Sequence, residues 1–291
     1  MRIASNGIEI EIEERGSGSD TLLCIMGFGA QMVVWPNGLL DQLADLGLRV
    51  IIFDNRDMGL STWLNDAPSP NMGKSLLRAL LRMEVKAPYD LSDMALDTVG
   101  ILDELQIDSA HVMGVSMGGM IAQHLAIEHP TRVKSLTSIM SGPGSRRHMF
   151  GRSSPRALNA IMTPAPKSRD EASDINEGIF RVIGGDLPVD FDQVRHRAAL
   201  AYDRGHNSAG VFRHWGAMCK SGSRLKQLRK LNLPTTVIHG TVDPLVPVRA
   251  GKATAAAIPD AKLVMIDGMG HDLAPGTWPT IVNEVGRMSA G

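Results

Sequence analysis

Cysteine is scarce in this chain of 291 residues, which holds only Cys24 and Cys219. Two cysteines so far apart form no C-x-x-C pair, so the sequence predicts neither a zinc site nor a redox dithiol, and both are expected to be buried or free thiols. Aromatic residues make up 4 % of the chain and the net charge is −1, with no basic stripe studded with aromatics. Nucleic acid is therefore not expected as a partner.

Long apolar runs are also missing. The longest, such as 22–26, are far too short to span a bilayer, and residues 1–14 alternate isoleucine with glutamate where a secretory signal would have an apolar stretch. These absences predict no membrane association and, by default, a cytoplasmic location, with export by another route left open. The remaining composition, 43 % apolar and 21 % charged, is typical of a folded globular protein.

Short apolar runs alternate with helical patterns along most of the chain. The runs lie at 22–25, 50–53, 111–115, 136–139, 236–238 and 263–266, and the helical patterns at 35–46, 91–105, 117–128, 250–257 and 278–288. Apolar runs of this length are typical of parallel strands that are covered on both faces. The alternation predicts an α/β fold with a mostly parallel, doubly wound sheet, and the alternating residues 8–12 after an Asn-Gly pair predict an antiparallel hairpin at the start.

Two stretches interrupt this alternation. Residues 64–90 have a helical pattern at 76–85, and residues 142–231 have helical and loop-like patterns only. We expect the longer stretch to be a helical cap inserted into a core of residues 1–141 and 232–291. Residues 142–230 carry 16 lysines or arginines and 8 acidic residues, a net of +8, which leaves −9 for the rest of the chain. This asymmetry favours electrostatic docking of cap on core, with attraction of acidic substrates as the alternative.

The sequence G-x-S-x-G at 114–118 marks Ser116 as a candidate nucleophile. A predicted buried strand runs directly into it and a predicted helix runs directly out of it, which is the setting of a nucleophile elbow. Such a turn strains the serine backbone and places the free N–H groups of the helix start near developing negative charge. The context therefore favours a catalytic serine over an ordinary turn residue.

A serine hydroxyl is a poor nucleophile unless a base takes its proton and a carboxylate orients that base. Among nine histidines, His271 follows the last predicted strand and so lies at the same sheet edge as Ser116. Asp243 follows another predicted buried strand and lies between the serine and the histidine in the chain. Asp267 and Asp272 flank the histidine itself in an awkward geometry, so Asp243 is the preferred acid.

Two backbone N–H groups are expected to bind the oxygen of a tetrahedral intermediate. Met117, after the serine, supplies one, and Phe28, in the M-G-F-G loop after the first core strand, supplies the other. Apolar side chains of the predicted cap are candidates for the substrate pocket: Phe150, Phe180, Phe212, Trp215 and Met218. The segment 54–61 is interpreted as a rigid turn. Phosphate loops, dinucleotide fingerprints and H-E-x-x-H motifs are absent, so neither a cofactor nor a metal is expected.

Together these motifs resemble the α/β-hydrolase superfamily along nearly the whole chain. The resemblance is carried by the serine, acid, histidine order, D-x-R-x-x-G-x-S at 54–61, H-G-x-x-D-P-L-V-P at 239–247 and G-M-G-H at 268–271. The M-G-F-G loop followed by Trp35-Pro36 is most similar to the carboxylic-ester hydrolases related to aclacinomycin methylesterases. The resemblance implies a serine carboxylesterase that cleaves small to medium esters through an acyl-enzyme. One departure is Met26-Gly27, where most relatives have His-Gly.

Other functions share these features and stay open at this point. They are lactonase activity, methylesterase activity on a polyketide-type substrate, C–C bond hydrolysis and cofactor-free haloperoxidase activity. Haloalkane dehalogenases and epoxide hydrolases are disfavoured because they use an aspartate where Ser116 stands. A non-catalytic ligand-binding receptor is a more remote alternative, since an intact triad with an oxyanion loop argues for turnover. The sequence leaves the oligomeric state open.

Overall fold

The computed structural model describes residues 1–145, 147–148 and 153–290. Within these residues the chain forms eight strands: β1 (Arg2–Ser5), β2 (Ile8–Arg15), β3 (Asp20–Ile25), β4 (Leu48–Phe53), β5 (Ala110–Val115), β6 (Val133–Ile139), β7 (Thr235–Gly240) and β8 (Lys262–Ile266). They form one sheet in the order β1-β2-β4-β3-β5-β6-β7-β8. The β1–β2 and β2–β4 pairs are antiparallel and all other neighbouring pairs are parallel, so the predicted mostly parallel sheet and the opening hairpin are confirmed.

Eleven α-helices lie between or after these strands in the described part of the chain. They are α1 (Asn37–Ala44), α2 (Met72–Leu80), α3 (Leu91–Glu104), α4 (Met117–Glu128), α5 (Pro155–Ile161), α6 (Arg169–Ile183), α7 (Phe191–Asp203), α8 (Ser208–Ser221), α9 (Leu225–Leu228), α10 (Val248–Ala257) and α11 (Trp278–Ser289). None of the helices in the residues described is both long and apolar enough to cross a membrane.

Hydrophobic clusters cover both faces of the sheet. Along β3, Leu23 and Ile25 belong to the cluster that includes α3 and α4, while Leu22 and Cys24 belong to the cluster that includes α1 and α11. Successive strand residues point to opposite faces, so a continuous apolar run can be buried on both sides at once. This double burial explains why the central strands have no polar alternation.

The helix between β4 and α3 differs from the sequence prediction. A helix was expected at 76–85, whereas α2 begins at Met72 and ends at Leu80. The side chain of Asn71 accepts a hydrogen bond from the Lys74 N–H and so caps the helix start. Past the end, Arg82 has a φ of 59°, a left-handed conformation that a continuing helix does not allow.

Helices α5 to α9 all lie between β6 and β7. Helix α6 packs against α5 and α7, and α8 packs against α2 and α3. Arg213 of α8 forms a buried ion pair with Asp57, and Arg204 at the end of α7 pairs with the buried Asp54. These pairs join the basic inserted helices to the acidic turn at 54–61, as the charge asymmetry of the sequence suggested.

Candidate active site

Ser116 lies in a tight turn between β5 and α4, with a φ of 55° and a ψ of −119°. The turn depends on its glycines, because a Cβ at Gly114 would lie 2.2 Å from the Gly118 carbonyl oxygen and one at Gly118 would lie 2.0 Å from the Ile25 oxygen. The Ser116 N–H donates to the Ile139 carbonyl oxygen at 2.9 Å. These contacts hold a strained serine with its hydroxyl beyond the end of the central strand.

His271 and Asp243 continue from this serine in one hydrogen-bond chain. His271 Nε2 lies 2.9 Å from Ser116 Oγ, and His271 Nδ1 lies 2.8 Å from Asp243 Oδ2. The other carboxylate oxygen, Oδ1, accepts the N–H groups of Leu245 and Val246, each at 2.8 Å. The structure therefore brings together the three side chains that the sequence singled out.

The contacts of Asp243 favour its ionised form. Burial alone would raise the pKa of this carboxyl, but His271, the nearby His239 and the Val246 N–H together outweigh burial and hold the pKa below its ordinary value. An ionised Asp243 accepts a hydrogen from His271 Nδ1 and leaves Nε2 free to accept one from Ser116. His239 Nε2 lies instead 2.9 Å from the Val246 carbonyl oxygen, and this contact helps to shape the loop that carries Asp243.

The loop after β3 borders the serine. A Cβ at Gly27 would lie 3.3 Å from Ser116 Cβ, so a side chain there would crowd Ser116. Phe28, the predicted donor of one oxyanion N–H, packs its ring edge-on against Trp215 with the ring centroids 6.2 Å apart. Met117, the other predicted donor, is the first residue of α4. Both backbone groups thus lie on segments that adjoin Ser116.

A buried histidine supports this loop from α8. His214 Nδ1 accepts the Gly29 N–H at 3.3 Å, and His214 Nε2 donates to the Arg56 carbonyl oxygen at 2.9 Å. Complete burial lowers the pKa of His214 to about 4, so the imidazole is neutral and can accept at one nitrogen while it donates at the other. Nothing local in the sequence distinguishes His214 from the other histidines, because its bond to Gly29 spans 185 residues.

The segment after α6 is hydrogen-bonded to residues 268–271, called here the histidine loop because it carries His271. His271 N–H donates to the Ile183 carbonyl oxygen and Asp186 N–H donates to the Gly268 carbonyl oxygen, both at 2.7 Å. At Gly185, a Cβ would lie 2.0 Å from the Gly268 oxygen, so the two backbones touch. The inserted segment therefore helps to fix the backbone of the loop that carries His271.

A cavity of about 1520 Å³ opens between the sheet edge and the inserted helices and reaches Ser116 and His271. Its volume exceeds the range of about 300–1,000 Å³ of many small-molecule sites. The lining includes four of the five predicted pocket residues: Phe180, Phe212, Trp215 and Met218. The fifth, Phe150, lies outside the described residues. The apolar character of most of the lining suits a ligand with an apolar body.

Asp272 is an unusual member of this lining. Its side chain is 4 % exposed, and neither carboxylate oxygen has a hydrogen-bond partner in the described ranges. Burial raises the pKa of Asp272 to about 6 against the opposing influence of His271. The sequence treated Asp272 as a weaker candidate for the acid, and the structure bonds His271 to Asp243 instead.

Comparison with known proteins agrees with this fold. The family profile of the alpha/beta hydrolase fold matches residues 20–274. The chain belongs to the α/β-hydrolase fold family. The predicted fold and family are thereby confirmed.

Two curated relatives of this α/β-hydrolase are similar over most of the chain. The rhodomycin D methylesterase of Streptomyces peucetius is 27 % identical over 93 % of this chain and 91 % of that protein. A 2-hydroxy-6-oxononadienedioate/2-hydroxy-6-oxononatrienedioate hydrolase of Cupriavidus pinatubonensis is 28 % identical over 90 % of this chain and 84 % of that protein. Methylesterases are carboxylic-ester hydrolases, so the predicted resemblance to enzymes of that class is confirmed.

Among solved structures, the enol-lactonase of Burkholderia xenovorans covers 100 % of both chains with a TM-score of 0.72 and 19 % identity. A meta-cleavage product hydrolase of Pseudomonas fluorescens covers 100 % of this chain and 97 % of that chain, with a TM-score of 0.75 and 18 % identity. At these identities the likeness describes the fold that the proteins share.

Proposed function

We propose that this α/β-hydrolase is a serine carboxylesterase whose catalytic triad is Ser116, His271 and Asp243. The observation that supports this best is the continuous chain of hydrogen bonds, 2.9 Å from Ser116 Oγ to His271 Nε2 and 2.8 Å from His271 Nδ1 to Asp243 Oδ2, beside a large apolar cavity. The curated methylesterase relatives add support for ester substrates.

In the proposed reaction, Ser116 Oγ attacks the ester carbonyl carbon while its proton passes to His271 Nε2. Negative charge develops on the former carbonyl oxygen, for which the N–H groups of Phe28 and Met117 are the proposed donors. Collapse of the intermediate releases the alcohol, which takes the proton from His271, and leaves an acyl group on the serine. Water then attacks the acyl-enzyme with His271 again as base, and the acid is released.

We also propose that residues 142–231 act as the cap over a small to medium ester. Helices α6, α7 and α8 all contribute to the cavity lining, and an insertion of about 90 residues is far longer than a connection requires. Four apolar cap side chains then contact the substrate: Phe180, Phe212, Trp215 and Met218. We expect activity on short-chain esters and weak activity on emulsified long-chain triglyceride.

A serine-directed organophosphonate tests the proposal. We expect one covalent adduct on the intact protein, located on Ser116 by peptide mapping, and no adduct in Ser116→Ala. A panel of p-nitrophenyl esters, methyl esters and lactones, assayed with the parent and with Ser116→Ala and His271→Ala, then defines the reaction. Labelling of another residue, or undiminished ester cleavage in Ser116→Ala, would contradict the proposal, and turnover of lactones alone would replace ester by lactone as the substrate.

A further inference from the structure

Helix α7 presents one side to the cavity. Val194, Arg197, Ala198 and Ala201 all line it, at spacings of three, four and seven residues that place them on one helical face. Three of these four residues are small or apolar, as expected of a wall that contacts an apolar ligand. Arg197 is the exception, and two polar residues of α7, Gln193 and Tyr202, also border the cavity.

Arg197 has neither an ion pair nor a hydrogen bond among the residues described, although its side chain is half-buried. Burial lowers the pKa of its guanidinium, and the carboxylate of Asp190, at the start of α7, opposes this effect without reaching ion-pair distance. The Asp190 side chain is committed to capping the helix, where it accepts the Gln193 N–H at 3.0 Å. No acidic side chain of the described part of the protein therefore lies within ion-pair distance of the Arg197 guanidinium.

Other arginines on the inserted helices or beside the cavity have different surroundings. Arg195, two residues earlier on α7, lies 2.6 Å from a carboxylate oxygen of Asp174 and 2.8 Å from one of Glu177. Arg213 of α8 is fully paired with Asp57. Arg82 and Arg147 also border the cavity, but both are exposed and water can solvate them. Arg197 thus combines partial burial, a place in the cavity lining and the lack of an ion-pair partner within the described ranges.

A guanidinium that is removed from water without an anion nearby is unfavourable, and the planar group matches a carboxylate through two parallel hydrogen bonds. We propose that the cavity binds esters that carry a carboxylate remote from the scissile bond, and that Arg197 binds this carboxylate. The inference rests on the proposed esterase function and names the substrate class: half-esters of dicarboxylic acids and related anionic esters. The attraction of acidic substrates, which is one interpretation of the positive charge of the inserted helices, is thereby assigned to a specific residue.

Kinetics on matched substrates test this inference. Mono-p-nitrophenyl esters of dicarboxylic acids, in a series from succinate to sebacate, are compared with p-nitrophenyl esters of monocarboxylic acids of equal length. We expect the parent to prefer the anionic ester at one chain length, with the preference residing in KM. In Arg197→Gln the ratio of kcat/KM for the anionic ester to that for the neutral ester should fall about tenfold or more, and Arg197→Lys should lie between.

Arg195→Gln is the matched control, since it removes an arginine of the same helix that has its own acidic partners, and it should keep the parent ratio. Calorimetric titration of the preferred half-ester into Ser116→Ala, with and without Arg197→Gln, measures binding in the absence of turnover and should show the same loss. A parent that cleaves neutral esters without preferring anionic ones at any length, or an unchanged ratio in Arg197→Gln, would overturn this inference alone. Failure of every ester together with an unlabelled Ser116 would instead overturn the proposed function.

Discussion

Two buried aspartates lie near His271, and they differ in nearly every contact. Asp243, in the loop after β7, has one oxygen bonded to two backbone N–H groups and the other to the imidazole. Asp272, in the loop after β8, has no hydrogen-bond partner for either oxygen within the described chain. The pKa of the first is held below its ordinary value, while that of the second is raised to about 6. Partners, and not proximity in sequence to the histidine, decide which carboxylate can orient the imidazole.

Replacing the two aspartates in turn is the most severe test of this contrast. We expect Asp243→Asn to fold normally and to lower kcat by about 10⁴, because an amide favours the wrong imidazole tautomer. The same replacement has an effect of this size in serine proteases. Asp272→Asn should lose far less activity. Steady-state kinetics on a p-nitrophenyl ester, with circular dichroism to check folding, decide the matter. A folded Asp243→Asn within tenfold of the parent would show that another acid orients His271.

The same contrast extends to stability through the buried Arg213–Asp57 pair, whose side chains are 1 % and 0 % exposed. We expect Arg213→Met to lower the free energy of unfolding by about 3–5 kcal/mol, because it leaves the Asp57 carboxylate buried without its cation. The control is Arg195→Met, which removes a partly exposed ion pair and should cost less than about 1 kcal/mol. Urea unfolding curves measure both. Equal losses would show that burial of the pair is irrelevant.

The buried Asp272 carboxyl should make the free energy of unfolding depend on pH. A carboxyl with a pKa near 6 in the folded protein and near 4 in the unfolded chain binds its proton more tightly when folded, so ionisation costs stability as the pH rises from 4 to 6. We expect the stability of Asp272→Asn relative to the parent to increase by about 2 kcal/mol between pH 4 and pH 7. Urea unfolding at the two pH values measures this change. A constant difference would show that Asp272 ionises in the folded state without penalty.

Local patterns explain how far the sequence predicts this molecule. Strand-length apolar runs and helical periodicity are properties of neighbouring residues, so the sheet and most helix positions followed from them directly. Ser116, Asp243 and His271 each follow a parallel strand of the same sheet, and this shared position sufficed to predict that they meet. The predicted limits of α2 were wrong because they depend on the Asn71 cap and on the left-handed conformation of Arg82.

Features that depend on distant contacts had no such signal. His214 and Gly29 are far apart in the chain, and the sequence does not show that they bond. Whether Arg197 or Arg195 finds an acidic partner depends on how α6 packs against α7, since the acids that pair with Arg195 lie on α6. The unpaired state of Arg197 is therefore a property of tertiary packing, although both arginines look alike in the sequence.

The backbone bonds between the end of α6 and the histidine loop limit how this protein can be re-engineered. A graft that exchanged residues 142–231 for those of a relative, with the aim of changing specificity, would also replace the Ile183 carbonyl that accepts the His271 N–H. It would remove the His214 imidazole that holds Gly29 as well. The segment that lines the cavity is thus not an interchangeable module, and a chimera that keeps the site geometry must carry over Ile183, Gly185 and His214 with their backbone conformations.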